Sequence, residues 1–592
     1  MSDIENEVLA GVNLGGGYFN TDTLTYPMDA MAPGSKNVFI VDNNSQRVFR
    51  GLTANGTGGR TMFNVAGGYA SLNDVGATQG VGSIFNFINE SLFAIGAGEV
   101  FYNGSVLVDS TPSPANVTAT STLQLAPKVG SYTYPEWYTA GFSQPTAPQV
   151  YARNPVSPFT GLNTGTFSFK IAAVRSTTGA RSIASPTSAV IPLTSQTVHL
   201  VFPAAASNGQ DRWAIFGTKA GFGGVGVHYL IKEINESDLS TVDSIARSYV
   251  LEYNDSDLLP VTAYTDDYPP QAALFAARLE NYVITFGAYT NAIQASVRNF
   301  PESFNPEHLA FLPKSPTAIL QDPQGTYVYV STNSSVHAVS VIPGTDNPLM
   351  IQTLWSDVGV ANPHNWCTVS GVLFAFTSKT GAVTMGDNGL PDNRFAQPVA
   401  KAMRNWVVDN VVVHRVPHLN SVAYSYQGET YLFNLQTLKW SSPAALNDFF
   451  AGNVVSAVVH NRIPYITLKN GSTFTMYEFD NGSSSTNFII RSADLEPFPE
   501  GRINILGLRG VYCGAAATTH NFKIRTDYSN TVDKTLAHTA AVGMNTTQRS
   551  RWYLPRKNSF SVQFDGTQTN FSNDSFLSHI IVYGTVENST TL

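Results

Sequence analysis

The sequence predicts an all-β protein organised around a β-propeller. Two observations carry this prediction: strand-like hairpins recur at nearly constant spacing between residues 281 and 480, and the 592-residue chain is 11% aromatic but only 13% charged. Low charge combined with 47 Gly and 32 Pro is typical of a folded protein made of strands and turns, not of a disordered chain. The chain is also too long for a single core, so several domains are expected.

The central hairpins have the spacing of propeller blades. With turn centres at Tyr289, Asn333, Thr380, Gln427 and Asn470, successive turns are 44, 47, 47 and 43 residues apart. A lone hairpin cannot bury its apolar face, so repeated units are expected to pack around an axis, in six to eight blades. The five hairpins are predicted at 282–286 with 292–297, 327–331 with 336–341, 372–377 with 382–385, 421–426 with 429–433, and 463–468 with 473–479.

The chain before these hairpins divides into two parts. Residues 1–60 are predicted to form an extended arm with one strand at 38–41, because Gly and Pro recur in it at short intervals. Residues 61–142 contain further strand-like segments at 83–88, 92–95 and 100–102, and we assign them to the first part of the propeller.

Residues 143–268 interrupt the blade spacing. They begin with a Pro-rich stretch at 144–148, continue with a Phe-rich strand at 165–174 and a Ser-Pro turn at Ser185, and end in Tyr-Thr-Asp-Asp at 264–267. This order resembles a fibronectin type III module, which implies a β-sandwich. Since propeller-like hairpins lie on both sides, the module is predicted to be inserted in the propeller, whose remainder spans 269–500.

The C-terminal region, residues 501–592, has strand patterns at 503–508, 522–526, 559–564 and 578–583. Four alternating strands in this short span predict a closing β-sandwich or platform domain. A short helix at 398–407 is the one helical segment that the pattern suggests.

The charge and the cysteines limit the classes of function. A formal net charge of -8 argues against a surface that grips nucleic acid, but it suits a wall past which DNA slides. Cys367 and Cys513 are too few for a disulfide framework. Residues 1–7 do not resemble a signal peptide, and no apolar run approaches the roughly 20 residues of a membrane helix. We therefore expect folding in a cytoplasm and no membrane insertion.

Three short motifs resemble known sites. Residues 221–226 fit Gly-x-Gly-x-x-Gly, but a strand pattern follows instead of the helix that would receive a phosphate, so a hairpin turn is predicted. His414 and His418 have the spacing of a metal pair, yet Pro417 lies between them and no third ligand is recognisable, so ordinary histidines are favoured. Cys367 is predicted to fill the core.

Glycoside hydrolysis on a propeller would need two carboxylates that face one another. Asp322, Asp387 and Asp392 can be named for this role, but Asp387-Asn-Gly and Asp322-Pro are ordinary turn sequences, where Asp bonds the local backbone, so the turn interpretation is favoured. The tryptophans are expected to fill the space between blades instead of stacking on sugars; they are Trp355, Trp366, Trp406 and Trp440. The sequence therefore predicts no catalytic residue, no cofactor, no metal site and no enzymatic activity.

The arm carries a resemblance to a known family. Ala32-Pro-Gly-Ser-Lys-Asn37-Val-Phe-Ile-Val-Asp42, followed by Arg47-Val-Phe-Arg-Gly51, resembles the opening of the tail nozzle, or tail tubular, proteins of short-tailed bacteriophages. The later order is similar to theirs as well, at 277–281, Ser296, 300–305, 430–435 and 439–441.

The resemblance implies a structural virion protein without an active site. Such proteins form a homohexameric ring at the distal end of the tail, attach to an adaptor or portal ring and to tail fibres, and surround a channel through which DNA leaves without specific binding. They are made in the host bacterial cytoplasm. The resemblance leaves open whether the insert faces outward or acts inward as a gate. The alternative is a carbohydrate-binding or carbohydrate-cleaving propeller, a host-surface lectin or depolymerase, which facing carboxylates with one raised pKa in a pocket would indicate.

Overall fold

The computed structural model is nearly all β, as predicted. Within the described part of the chain, no helix has the length and apolar character needed to cross a membrane. From residue 141 to 588 the structure describes the chain except 155–163, 177–178, 207–208, 253, 272, 274, 323–325, 387–388, 449–450, 461, 471–472, 481–485, 497–500, 515–518, 540–542, 547–549 and 569–575. Before residue 141 it describes 7–12, 18, 20, 31–41, 46–50, 52–53, 62–65, 68–71, 81–87, 91–96, 99–102, 105–108, 124–125 and 138–139.

Six antiparallel sheets of the blade type follow one another in the described residues, and the five predicted hairpins are the middle strands of blades 2 to 6. Blade 1 contains Val81–Phe87, Ser91–Gly96, Glu99–Tyr102 and Ser105–Val108. Blade 2 contains Phe275–Leu279, Tyr282–Ala288, Ala292–Val297 and Phe300–Phe311, and blade 3 contains Pro316–Gln321, Val328–Thr332, Ser335–Val341 and Leu349–Ser356. Blade 4 contains Trp366–Val369, Val372–Thr377, Gly381–Met385 and Pro391–Asp392.

Blades 5 and 6 have additional strands from elsewhere. Blade 5 contains Val411–Val416, Ser421–Tyr426, Glu429–Asn434 and Lys439–Trp440, and Ala444–Ala445 also pairs with its third strand. Blade 6 contains Asn453–His460, Ile463–Asn470 and Thr473–Phe479, and its fourth strand is Leu52–Thr53 from the arm.

The first strands of neighbouring blades pack together from blade 2 through blade 6, and the first strand of blade 6 packs against that of blade 1. This order is the one in which propeller blades surround an axis. Because the first strands contact one another, they are innermost and the fourth strands are outermost. In the described residues the blades do not form a closed propeller.

The insert lies between blades 1 and 2 in the chain and forms two packed sheets around a shared core that includes Phe169 and Trp213. One sheet has the order Gln149–Arg153, Thr197–Val201, Ile245–Leu251, Ser240–Val242. The other has the order Ala180–Arg181, Phe169–Arg175, Arg212–Gly217, Tyr229–Asn235, and Thr164–Phe167 pairs separately with Ile191–Thr194.

The C-terminal sandwich also has two sheets. In the first, Glu7–Val12 from the N-terminal segment pairs with Phe576–Asn588, which pairs with Gly501–Gly514; Gly543–Thr546 and Ser550–Lys557 both pair with this last strand. The second has the order Thr486–Arg491, Phe560–Gln568, Thr519–Thr526, Lys534–Thr539. The first strand of this second sheet lies before residue 501, so the sandwich begins earlier than the predicted boundary.

The arm connects the propeller to the C-terminal sandwich. Its hairpin consists of Val38–Ile40 and Gln46–Val48. One hydrophobic cluster contains residues from the arm, blades 4 and 5, and both sheets of the C-terminal sandwich, including Ile40, Phe433 and Val562. Because an extended segment has too few contacts to be stable alone, the arm is held by the two domains that it joins.

The remaining elements are short. The predicted short helix is a 3-10 turn, Arg394–Val399, continued by one α-helical turn, Ala400–Met403. Other 3-10 turns are Glu236–Asp238, Asp255–Asp257, Val408–Asn410, Pro417–Leu419 and Leu446–Asp448. Two small hairpins pair Met62–Val65 with Gly68–Ser71 and Gln124–Leu125 with Tyr138–Thr139.

Candidate functional site

A polar cavity of about 310 Å³ lies where blades 5 and 6 begin. The turn Val408–Asn410 leads into the first strand of blade 5, Gln427 lies in the turn after its second strand, and Asn453 begins blade 6. Valines from the two first strands supply the apolar part of the lining. The polar lining residues are His364, Asp409, Asn410, Gln427, Asn453 and Lys469.

A buried amide fixes the backbone of this cavity. Asn365 is fully buried, and its side-chain Nδ2 donates to the carbonyl oxygens of Val408 and Val411, both at 2.8 Å. The N–H of Val454 donates to the carbonyl of Gln427 at 3.0 Å, which joins blade 6 to blade 5. The two hydrogen bonds of Asn365 hold the backbone on either side of Asp409.

The side chains that line the cavity can make the hydrogen bonds that a polyhydroxylated molecule requires. Its three amides can both donate and accept hydrogen bonds, Asp409 accepts and Lys469 donates. Asp409 is the one carboxylate in the described lining, whereas glycoside hydrolysis usually requires two. Within the described ranges, no three His, Cys, Asp or Glu side chains form a group that could hold a metal ion.

The structure does not bring the predicted carboxylates together. Asp322 is buried between the first two strands of blade 3, whereas Asp392 is in the fourth strand of blade 4. Asp392 bonds the guanidinium of Arg394 at 2.6 Å and the backbone N–H of Arg394 at 2.8 Å, and these hydrogen bonds lower the pKa of its carboxyl. The carboxylate of Asp392 is therefore occupied by a local contact with Arg394. Asp387 lies outside the described residues.

The two predicted histidines have separate environments. His414 is buried in the first strand of blade 5 against the ring of Phe479, with 5.7 Å between ring centroids, and burial lowers its pKa to about 4. His418 is in the turn Pro417–Leu419, and its Nε2 lies 2.8 Å from a carboxylate oxygen of Asp480. The two imidazoles therefore contact different partners.

The remaining sequence predictions concern packing. Trp355, Trp366 and Trp440 are buried in the propeller, which confirms their packing role, while Trp406 is partly buried and stacks on Tyr426 at 5.1 Å. Cys367 is buried, and burial raises the pKa of its thiol to about 12, so it is an inert core residue. Residues 221–226 form turns and no helix follows them, which confirms the hairpin.

Sequence reasoning missed a cluster that fastens the arm to the propeller. Asp480, fully buried at the end of blade 6, accepts bonds from the guanidinium of Arg47 and from the backbone N–H of Arg50 at 3.0 Å, as well as contacting His418. We call these four residues the arm clasp. No local pattern signals it, because its members come from three distant segments.

A second buried ion pair fixes the insert to blade 2. Arg175 of the insert lies 2.6 Å from Glu302 in the fourth strand of blade 2, and the two side chains are 1% and 2% exposed. The same carboxylate accepts the backbone N–H of Gly141 at 3.0 Å. Gly141 has φ +74, and a Cβ there would lie 2.7 Å from the Cα of Pro269. The segment that enters the insert and the segment that leaves it are therefore in close contact at this glycine. The insert is therefore mounted on an outer strand.

Comparisons with known proteins place the chain in no family. No family model matches it, and no curated protein matches it. Among solved structures, an exo-beta-1,3-galactanase from Phanerochaete chrysosporium is 7% identical with a TM-score of 0.17, covering 66% of this chain and 89% of its own. A glycoside hydrolase family 43 arabinoxylan arabinofuranohydrolase from Bacillus subtilis is 8% identical with a TM-score of 0.14, covering 66% and 93%. PorZ, a surface component of the type-IX secretion system of Porphyromonas gingivalis, is 13% identical with a TM-score of 0.26, covering 86% and 82%.

These comparisons correct one expectation. Because glycoside hydrolases are among the similar solved structures, the sequence-based prediction that the chain is not an enzyme is not retained. The TM-scores are all far below 0.5, so the same likeness assigns no activity to the chain.

Proposed function

We propose that the chain is a structural virion protein, the ring-forming nozzle of a short-tailed bacteriophage tail. In this role, six copies surround the DNA exit channel, attach to an adaptor or portal ring, carry tail fibres, and take part in retaining and ejecting DNA. The observation that carries the proposal concerns the arm residues on which the resemblance depends: Asn37 and Arg47 among them are buried, and the arm joins two domains.

The arm motif occupies a buried position between two domains. Asn37 is fully buried; its amide donates to the carbonyl of Asn487 at 2.7 Å and accepts from the N–H of Ala445 at 2.8 Å. These partners belong to the C-terminal sandwich and to blade 5. Arg47, from the second half of the motif, belongs to the arm clasp. Asp42 and Gly51 of the motif lie outside the described residues.

An arm of this kind suits a subunit that must transmit force. A propeller and a sandwich joined only by a linker would move independently, whereas here the arm supplies a strand to blade 6 and the N-terminal segment supplies a strand to the C-terminal sandwich. A net charge of -8 also suits a channel wall that should not retain DNA.

Imaging of the purified protein, alone and mixed with its adaptor partner, tests this proposal. We expect rings of about six subunits around a central channel, and we expect DNA to bind no better than it binds an unrelated acidic protein. A chain that stays monomeric with the adaptor present would contradict the proposal.

The second candidate is a carbohydrate-binding propeller, and the polar cavity between blades 5 and 6 favours it. Sugars are recognised by side chains that both donate and accept hydrogen bonds, which the cavity supplies in Asn410, Gln427 and Asn453. A cavity of about 310 Å³ is large enough for one sugar unit.

Binding to a panel of bacterial surface polysaccharides, followed by calorimetry, tests this candidate. The variants Asn453→Ala and Asp409→Asn are expected to weaken binding at least tenfold. The control Asp392→Asn, which changes a residue that does not line the cavity, is expected to have no effect. Release of reducing ends would identify a cleaving enzyme. Absence of binding to every polysaccharide, or equal binding by all variants, would rule out the cavity as a sugar site.

A further inference from the structure

The edge of the insert presents an exposed apolar loop. Residues 220–227 contain no charged side chain, and Phe222, Val225 and Val227 are 54%, 93% and 55% exposed. The segment 259–263 runs beside the strand that follows the loop, because the N–H of Leu259 donates to the carbonyl of Leu230 at 2.8 Å. Leu259 and Val261 on this segment are 46% and 40% exposed. We call Phe222, Val225, Val227, Leu259 and Val261 the apolar tip.

Several backbone N–H groups of the loop are hydrogen-bonded, although its side chains are exposed. Four N–H groups donate within the insert: Phe222 to Lys219 at 3.1 Å, Gly223 to Thr166 at 3.1 Å, Val225 to Phe222 at 3.2 Å, and Gly226 to Phe222 at 2.8 Å. Unpaired N–H groups are what make loops costly in an apolar medium. These four groups would lose no partner on entering one.

The apolar tip is also held in a fixed shape. A Cβ at Gly223 would lie 2.6 Å from the backbone nitrogen of Phe167, so the loop can approach the insert this closely only with glycine there. The insert itself is fixed to blade 2 by the buried pair Arg175 and Glu302. The apolar side chains are therefore displayed by a rigid support, which avoids the entropy cost of ordering a loop on binding.

Charges near the tip are of both signs. Lys219 lies over the ring of Tyr229 at 5.6 Å, and the carboxylate of Asp255 accepts the N–H of Ala220 at 3.2 Å. Because charges of both signs lie at the base of the loop and the chain has a net charge of -8, the tip is not expected to attract an anionic surface. Its chemistry is apolar contact.

We propose that the apolar tip inserts shallowly into the surface of a zwitterionic phospholipid bilayer. The centres of protein interfaces are rich in Tyr, Trp and Arg, whereas this loop contains only Ala, Gly, Val and one Phe. A bilayer interface accepts exposed apolar side chains without requiring a complementary shape. This inference goes beyond the proposed function and does not depend on it. It also revises the expectation of no membrane insertion, since that expectation concerned spanning helices.

Flotation with phosphatidylcholine vesicles tests the proposal on the full chain. We expect the wild-type protein to float with the vesicles, and we expect 1 M NaCl not to release it, because the contact is apolar. The double variant Phe222→Ser/Val225→Ser is expected to lower the bound fraction at least tenfold. A matched control, Leu438→Ser/Val407→Ser, removes two side chains that are 70% and 51% exposed on or beside blade 5 and is expected to float normally.

Three results would overturn the proposal. The first is a wild-type protein that does not float with phosphatidylcholine vesicles, or that floats only with vesicles containing phosphatidylglycerol. The second is a tip variant that floats as well as the wild type. The third is loss of flotation by both double variants alike. Because all four substituted side chains are exposed, the melting temperatures of the variants should equal that of the wild type, which separates binding from misfolding.

Discussion

Arg47 and Asp480, 433 positions apart in the chain, form a buried ion pair whose side chains are 5% and 0% exposed. The pair joins the arm hairpin to the end of the third strand of blade 6, next to the place where the arm supplies the fourth strand of that blade. Two charges removed from water are stable only when each satisfies the other. The fold of the propeller therefore depends on the arm.

Breaking the arm clasp should destabilise the protein strongly. In Arg47→Met the carboxylate of Asp480 stays buried without its main partner, so the free energy of unfolding should fall by about 3–5 kcal/mol. Urea unfolding followed by tryptophan fluorescence measures this loss. The control is Arg394→Met, which removes a pair whose arginine is 80% exposed and should cost less than about 1 kcal/mol. Similar losses in the two variants would contradict this role for the arm clasp.

Removing the charge of Glu302 should loosen the insert from blade 2. In Glu302→Gln the buried guanidinium of Arg175 loses its carboxylate, so amide hydrogen exchange should accelerate around 141–142 and 300–304. Exchange in the core strands of the insert should stay slow, because those strands have their own hydrophobic cluster.

The matched control for this experiment is Glu233→Gln, which removes an exposed ion pair with Arg212 within the insert. It should leave exchange at the junction unchanged. Exchange at the junction that is equally slow in Glu302→Gln and in the wild type would show that the ion pair does not hold the insert.

Acid should destabilise the fold through His414. Burial lowers the pKa of this imidazole from 6.5 to about 4, so the unfolded chain binds its proton at a higher pH than the folded chain does. Its contribution to stability is therefore full above pH 6.5 and is lost as the pH falls towards 4, by about 3 kcal/mol at most. Urea midpoints measured from pH 7 to pH 4 report this loss.

In the variant His414→Leu, the free energy of unfolding should depend less steeply on pH between 7 and 4. Some dependence should remain, because burial also lowers the pKa values of His228 and His520 to about 4. A pH dependence as steep in the variant as in the wild type would show that His414 is not the responsible group.

Much of the propeller could be predicted because each pair of middle strands forms a hairpin that a short stretch of sequence reveals. Residues 421–426 and 429–433 are strand-like segments on either side of a polar turn, and the structure has strands there at almost the same bounds. The outer strands were missed for physical reasons. Phe300–Phe311 contains two prolines and several polar residues, because an outer strand has one side open to solvent.

The candidate site was less predictable than the fold. The polar lining of the cavity comes from separate turns and strand ends, and nothing in the local sequence marks Asp409 or Asn453 as a site residue. The arm clasp joins segments that no local pattern relates, and pairing at this sequence distance is decided by the tertiary fold. His418 was singled out for its spacing to His414, but its partner is Asp480.

The mass of the purified protein in solution, alone and with its adaptor partner, tests the central proposal most directly. The monomer has a mass of 63.9 kDa, and light scattering should report a species of about six times that value, formed alone or on the adaptor. A single species at 63.9 kDa under both conditions would contradict the nozzle and leave the carbohydrate-binding propeller as the account to pursue.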